Sequence, residues 1–241
     1  MMRRDARPFW LYKLNLRIER AFAAWRVVPH LDEIGPDWRM MKPWAIQVFG
    51  AGIEAGASFH VVASSDAHVR LTCWAPPGGS AKLTFGDACL VTPACRFMAG
   101  EQITVGSGCM FGYGSTVTDC DWHGVYDRTD VHGKTKPVTI GDNVWLGDGA
   151  FVGKGVTIGE NSVIGARAVV TSDIPPNAIA VGNPAKVVRT FDPDDIEKTR
   201  VDLFADAPAL ERFFDGAYEE MLAGNTTWGW LRSIILPNKT D

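Results

Sequence analysis

The 241-residue chain is predicted to be mainly β: a parallel β-helix preceded by an amphipathic helix and followed by a helical extension. Three observations at its centre predict this. Between residues 140 and 175 an aliphatic side chain recurs every six positions, at Ile140, Leu146, Val152, Ile158, Ile164 and Val170. Glycine follows the first five, as Gly141, Gly147, Gly153, Gly159 and Gly165. The fifth position of each hexad is restricted to Val144, Ala150, Val156, Ser162 and Ala168. Six is a multiple of the two-residue strand period, so the same face points inward in every hexad. A helix would turn that face by about 120° per hexad. Glycine after each aliphatic residue suits a corner where φ is positive or another backbone comes close. Each hexad therefore reads as a short strand plus a turn. Three hexads close a triangular coil, and stacked coils satisfy one another's backbone groups at roughly 4.8 Å spacing.

Composition sets the outer limits. With 46% hydrophobic and 10% aromatic residues the chain has ample material for a packed core. A formal charge of −4 gives no overall pull towards nucleic acid. No run of about 18 apolar residues occurs, and MMRRDARPFW lacks a secretory apolar core, so a cytoplasmic protein is expected. The five cysteines are odd in number and show no CxxC spacing, which disfavours a disulfide framework and a zinc site. Cys89, Cys95 and Cys109 fall on fifth positions of hexads and read as small core residues.

Residues 1–45 are expected to form a helical cap. Leu11, Leu14, Ile18, Phe22 and Trp25 recur at spacings of three and four, with Lys13, Arg17, Arg20 and Arg26 elsewhere. The apolar face so defined is expected to cover the open end of the β-helix. Arg3, Arg4 and Arg7 add a second reading, peripheral contact with a membrane. Residues 46–190 are expected to hold the β-helix, with irregular early coils over 48–62. The pattern lapses from 63 to 80, where Pro76-Pro77-Gly78-Gly79 marks a loop. It resumes through Phe85-Gly86, Val91, Phe97, Val105-Gly106, Phe111-Gly112 and Val117, with two extra residues after Phe97 expected as a corner bulge. Pro175-Pro176 and Asn183-Pro184 end the repeat. Residues 191–241 are expected as an extension, helical from 193 to 223, with an apolar tail TWGWLRSIILPN that packs on the first helix or on another subunit.

Residues 118–137, TDCDWHGVYDRTDVHGKTKP, have no period and interrupt two good stretches of coil. Polar loops of this length inside compact repeats are uncommon without a function. Within the loop, Asp119-Cys120-Asp121-Trp122-His123-Gly124 stands out. Histidine is the side chain best matched to removing a proton near neutral pH, and a nearby carboxylate such as Asp121 would fix its tautomer. A histidine in a polar loop is, taken alone, more often simply solvated. His132 is a weaker base candidate without the paired carboxylates, and Tyr126, Asp127 and Arg128 are candidate acceptor contacts or solvated loop residues.

The [ILV]-G-x-x-[small]-x run resembles the hexapeptide-repeat acyltransferases, whose parallel β-helix is left-handed. The Asp-x-Asp-x-His type segment followed by Pro137-Val138-Thr139-Ile140-Gly141-Asp142-Asn143-Val144-Trp145-Leu146-Gly147 narrows the resemblance. So does Val181-Gly182-Asn183-Pro184-Ala185-Lys186 further on. Together these are similar to sugar acetyltransferases near the maltose and galactoside enzymes and to capsule or lipopolysaccharide acetyltransferases. The resemblance covers roughly residues 85 to 190 and implies a homotrimer with acyl-CoA lying between neighbouring β-helices. It implies His123 as general base for direct attack of a sugar or glycan acceptor on acetyl-CoA, with no metal and no covalent enzyme intermediate. The backbone N–H of Asp148 matches the oxyanion-stabilising position, and Trp145 the aromatic beside acceptor and pantetheine. Gly147, Ala166 and Thr171 match positions along the CoA arm, and Arg189 a basic residue near its phosphates. Ser172 stands where the family often has a phosphate-binding lysine, for which Lys186 or Lys154 is the expected substitute. Gly124 replaces a frequent proline.

Two other readings compete. A metal-dependent lyase of the γ-carbonic anhydrase kind needs three histidines with two closely spaced on the coils, yet none follows His132. A non-catalytic trimeric scaffold requires neither a loop histidine nor a donor-groove pattern, and both are present.

Overall fold

A computed structural model describes residues 5–75, 78–130 and 133–237. Arg3, Arg4, Pro76, Pro77 and His132 lie outside the described residues. Six coils follow one another, each with three short strands: β1 (Glu33–Ile34), β2 (Arg39–Met41) and β3 (Ile46–Phe49); β4 (Ile53–Ala55), β5 (His60–Val62) and β6 (Val69–Cys73); β7 (Lys82–Phe85), β8 (Leu90–Val91) and β9 (Arg96–Ala99); β10 (Gln102–Val105), β11 (Met110–Phe111) and β12 (Thr116–Thr118); β13 (Val138–Ile140), β14 (Trp145–Leu146) and β15 (Phe151–Val152); β16 (Thr157–Ile158), β17 (Val163–Ile164) and β18 (Val169–Val170). The first strands of the coils stack in parallel as sheet A, the second as sheet B and the third as sheet C. β19 (Ala178–Val181) extends sheet B, and β20 (Lys186–Thr190) closes it antiparallel. The coils thus begin at Glu33, and the stretch from 46 to 62 forms regular strands in register rather than irregular ones.

Inward residues of the three sheets form one continuous core. Ile140, Leu146, Val152, Ile158, Ile164 and Val170 are all buried, as the six-residue period requires. In the upper coils aromatic rings join this core: Phe85, Phe97 and Phe111 at the same position, and Phe59 at a fifth position, are in tilted or edge-on contact with neighbouring centroids 4.8 to 5.0 Å apart. Burial of one such ring is worth about 1.5–3 kcal/mol, and edge-on contact adds about 1 kcal/mol. The fifth-position cysteines have a second function. Cys89, Cys95 and Cys109 direct their thiols at the carbonyls of Gly106, Gly112 and Gly141, each at 3.1 Å, and Ser162 does the same with Pro175 at 2.9 Å. These side chains satisfy corner carbonyls that the ladders leave over.

Helix α1 (Phe9–Arg26) packs on β2 and on the turn over 43–45, so it covers the first coil. It does so with Tyr12, Glu19 and Ala23, and Glu19 accepts the backbone N–H of Lys42 at 3.2 Å. The stripe expected to face the coil instead lies largely open: Leu14, Ile18 (52% exposed) and Trp25 (70%) point away, while Phe22 meets Trp44 edge-on at 6.0 Å. Small Ala23 permits a close approach of the backbone that Trp25 would prevent.

Beyond β20 the chain turns back along the prism. The expected continuous helix from 193 is two 3₁₀ turns, Pro193–Asp195 and Val201–Phe204, followed by α2 (Ala207–Met221). Pro208 lies at the start of α2, and the Asp206 carboxylate caps it through the Ala209 N–H at 2.8 Å. The apolar tail is helix α3 (Thr227–Ile235). Both helices dock on α1: Tyr218 stacks on Tyr12 with centroids 4.3 Å apart, Lys13 pairs with Asp215 at 2.6 Å, and Trp10 Nε1 donates to Thr227 Oγ1 at 3.2 Å. Between them, Arg200 donates from Nε to the Ala88 carbonyl at 2.9 Å and from Nη2 towards His60 Nδ1 at 3.3 Å. The extension therefore straps the upper part of sheet B and leaves its lower part open.

Candidate active site

The aperiodic loop leaves the prism between β12 and β13, at the corner where sheet C turns into sheet A. Its root is rigid. The Asp119 side chain is fully buried and accepts the backbone N–H groups of Gly100, Glu101 and Gln102 at 2.6, 2.8 and 2.6 Å. Burial raises the Asp119 carboxyl above its usual range, with the three N–H donors acting in the opposite direction. The two extra residues after Phe97 supply this nest of donors; they lengthen the corner without shifting the register between β7 and β10. Opposite, Lys136 N donates to the Asp119 carbonyl at 2.9 Å, and Cys120 bridges Thr135.

Past the root, Trp122 adopts φ 65° and packs its ring on Trp74, leaving its buried indole N–H without a partner among the described residues. That turn projects His123 outward, exposed and without a hydrogen bond among the described residues. Asp121 does not orient the imidazole. Its carboxylate is bound by Lys154, whose ammonium also donates to the Lys134 carbonyl at 3.2 Å. The expected carboxylate–histidine pair is thus replaced by an ion pair that pins the loop to the coil below, and Lys154 is engaged there. Tyr126 and Arg128 sit at the exposed tip, where Arg128 Nε donates to the Val125 carbonyl at 3.2 Å.

The remaining candidates lie elsewhere on the prism. Gly147 and Asp148 form the corner between β14 and β15, from sheet B to sheet C, with Ala166 at the same corner one coil below. A side chain at Gly147 would stand 2.7 Å from Ala166 N, so glycine is required by the approach of the next coil. The Asp148 carboxylate accepts Tyr113 N at 2.9 Å, capping the corner above as Asp87 and Asp142 do for theirs. Its own N–H takes no partner among the described residues. The parallel register places Trp145 in one outward row with Val163 and Ile179, the antiparallel β20 sets Arg189 beside Ile179, and Lys186 lies on that same last strand. This is an apolar strip ending in cations. Thr171 follows β18 at the corner from sheet C to sheet A, the side of the prism that carries the loop. Within one chain, then, His123 and Asp148 belong to different corners, separated by the breadth of sheet C. The corner caps and the Lys154 pair had no signal in the hexad spacing, whereas Asp119 could have been found as the aspartate that directly follows the last ladder residue.

The fold is shared with solved structures. An N-acyltransferase from Bacillus cereus in complex with dTDP and 3-hydroxybutyryl-CoA overlays with a TM-score of 0.53 at 14% identity, over 77% of this chain and 94% of that one. A hexapeptide-repeat containing acetyltransferase from Vibrio cholerae, complexed with acetyl coenzyme A, gives 0.50 at 22% identity over 75% and 84%. At these identities the likeness defines the fold, a left-handed parallel β-helix. Residues 137–172 match the family described as bacterial transferase hexapeptide (six repeats), so the lower coils are that repeat. Among relatives, the chain is similar to the galactoside O-acetyltransferase of Escherichia coli K12, with 34% identity over 133 residues, 46% of this chain and 66% of that one. A Staphylococcus aureus (strain Mu50) protein named "Putative acetyltransferase" is 44% identical over 113 residues, 45% of this chain and 55% of its own length. The chain therefore spans about half the length of that relative.

Proposed function

We propose that the protein transfers an acetyl group from acetyl-CoA to a hydroxyl or amino group of a sugar or glycan precursor. The observation that carries this is an exposed histidine on a loop anchored at Asp119, together with a corner N–H at Asp148 that has no partner among the described residues. CoA fits the strip from Trp145 to Arg189: an apolar row suits the pantetheine arm, and Lys186 and Arg189 suit its phosphates. His123 takes the acceptor proton on a ring nitrogen as the acceptor oxygen or nitrogen attacks the thioester carbonyl. The Asp148 N–H stabilises the oxyanion. The intermediate then expels the CoA thiolate, which recovers the proton from the imidazolium.

Because His123 and Asp148 occupy different corners of one chain, the reading includes a homotrimer in which the loop of one protomer meets the groove of its neighbour. The Escherichia coli relative is named a galactoside O-acetyltransferase and the Vibrio cholerae structure holds acetyl coenzyme A, which supports the acceptor and donor classes. Calorimetric titration with acetyl-CoA, CoA and longer acyl-CoAs tests it. Micromolar binding with about one site per chain is expected; no binding to any of them would make the scaffold reading the better one.

The reading also includes peripheral contact with a membrane surface through α1. Trp10, Leu14, Ile18 and Trp25 are exposed beside Arg17, Arg20 and Arg26, and α3 adds exposed Trp228 and Ile235 with no acidic residue. No helix of the described residues is long and apolar enough to cross a membrane. Co-sedimentation with anionic phosphatidylserine vesicles is the expected result, and its absence removes this part.

A further inference from the structure

The outward face of sheet C carries residues that the reaction above does not use. Its six strands contain no aspartate or glutamate. Arg70 on β6 and Arg96 on β9 stand directly opposite each other in the parallel register, both exposed. Like charges so placed repel. Neither arginine has a carboxylate partner among the described residues. Arg70 Nε donates to Gln47 Oε1 at 2.8 Å, Gln47 Nε2 lies 3.0 Å from His68 Nδ1, and Arg96 Nη2 lies 3.3 Å from Met98 Sδ. The terminal nitrogens of Arg70 are left over. Sheet A differs: there Glu54 answers Lys82 at 3.0 Å.

A second feature runs beside the arginines. The rings of Phe49, Trp74 and Trp122 follow one another with centroids 5.7 and 6.2 Å apart, and Phe49 and Trp74 are 59% and 61% exposed. Alternation along the chain puts Arg70, Thr72 and Trp74 on one outward side, and Phe49 pairs with Thr72. The last ring belongs to the residue before His123. Contiguous exposed aromatic surface of this kind marks a binding face.

We propose that this face binds an anionic glycan and delivers it to His123. The C–H faces of successive sugar rings lie on Phe49, Trp74 and Trp122, whose flat rings offer apolar area at little entropic cost. A carboxylate or phosphate on the chain is held between Arg70 and Arg96, whose planar forks match either group. The proposal rests on the transferase reading for the role of His123, and it narrows the acceptor to an acidic oligosaccharide rather than a single sugar.

The test is calorimetry of the full chain with hexasaccharides of galacturonate, mannuronate and hyaluronan, against maltohexaose and free galacturonate. At least one acidic hexasaccharide should bind about tenfold or more tightly than either control, weakening with added salt. Trp74→Ala, and the double variant Arg70→Gln/Arg96→Gln, should each lower that affinity about tenfold while acetyl-CoA affinity stays unchanged. The proposal is overturned if no acidic hexasaccharide binds, if maltohexaose binds as well, or if the variants bind normally. It is also overturned if Trp74→Ala dissociates an oligomer in sedimentation, which would assign the rings to a contact between copies. Acetyl-CoA binding in the same preparation separates the two readings: acetyl-CoA bound without any glycan sinks this one alone, whereas glycan bound without acetyl-CoA sinks the transferase and leaves a glycan-binding face.

Discussion

Among single residues, Asp148 has two separate parts in the proposed site, carried by different atoms. Its carboxylate caps the Tyr113 N–H, while its own N–H, without a partner among the described residues, is the proposed oxyanion donor. Asp148→Ala keeps the N–H, so turnover should stay within a few-fold of wild type while stability falls by about 1–2 kcal/mol in urea titration; a hundredfold loss of turnover would move the catalytic role to the side chain. His60 provides the pH dependence. Burial, with Arg200 and Arg39 nearby, depresses it to about 4, below the ordinary 6.5. A depressed histidine is neutral in the fold and takes a proton more readily when unfolded. Its contribution is therefore intact above pH 6.5 and is lost as the pH falls from 6.5 to 4, by about 3 kcal/mol. Urea titrations at pH 7 and 4.5 should show that loss in wild type and a much smaller one in His60→Gln; equal losses would exclude His60 as the source. None of this was legible in the sequence, because the partner Arg200 is 140 positions away.

At the level of elements, legibility followed period. The hexads from Phe85 to Val170 identify their strands and their inward faces, since one slip of register would expose every aliphatic residue. The coils before 63 obey the same geometry with fewer glycines, and β6 lies inside the stretch where the pattern lapses. Helix α1 shows a different limit. Its 3.6-residue stripe was readable, but which stripe docks depends on the shape of the coil beneath, and Ala23 fits where Trp25 would not. The loop was legible as an interruption; its anchoring at Asp119 was not, because the three donors lie in the preceding coil. Asp119→Ala should accordingly leave the coils folded but loosen the loop, lowering the hydrogen-exchange protection of Gly100, Glu101 and Gln102 and reducing turnover about tenfold or more. Unchanged exchange at those three amides would contradict that role.

The whole molecule is a prism whose faces are used differently. The strap covers the upper part of sheet B, the lower part carries the apolar strip proposed for the donor, and sheet C presents arginines and aromatic rings next to the loop. One chain separates His123 from Asp148 by the breadth of sheet C, so the proposed site exists only between protomers. Co-assembled His123→Ala and Lys186→Glu/Arg189→Glu chains should then show activity above that of either alone, since some interfaces pair an intact loop with an intact groove. Activity no higher than the parents would place each site within one chain.

The central claim is that His123 is the base of an acetyl transfer, and release of free thiol from acetyl-CoA across a set of sugar acceptors measures it most directly. His123→Ala should bind acetyl-CoA as wild type does and turn over about 10²- to 10⁴-fold more slowly. Turnover near the wild-type rate would contradict the account.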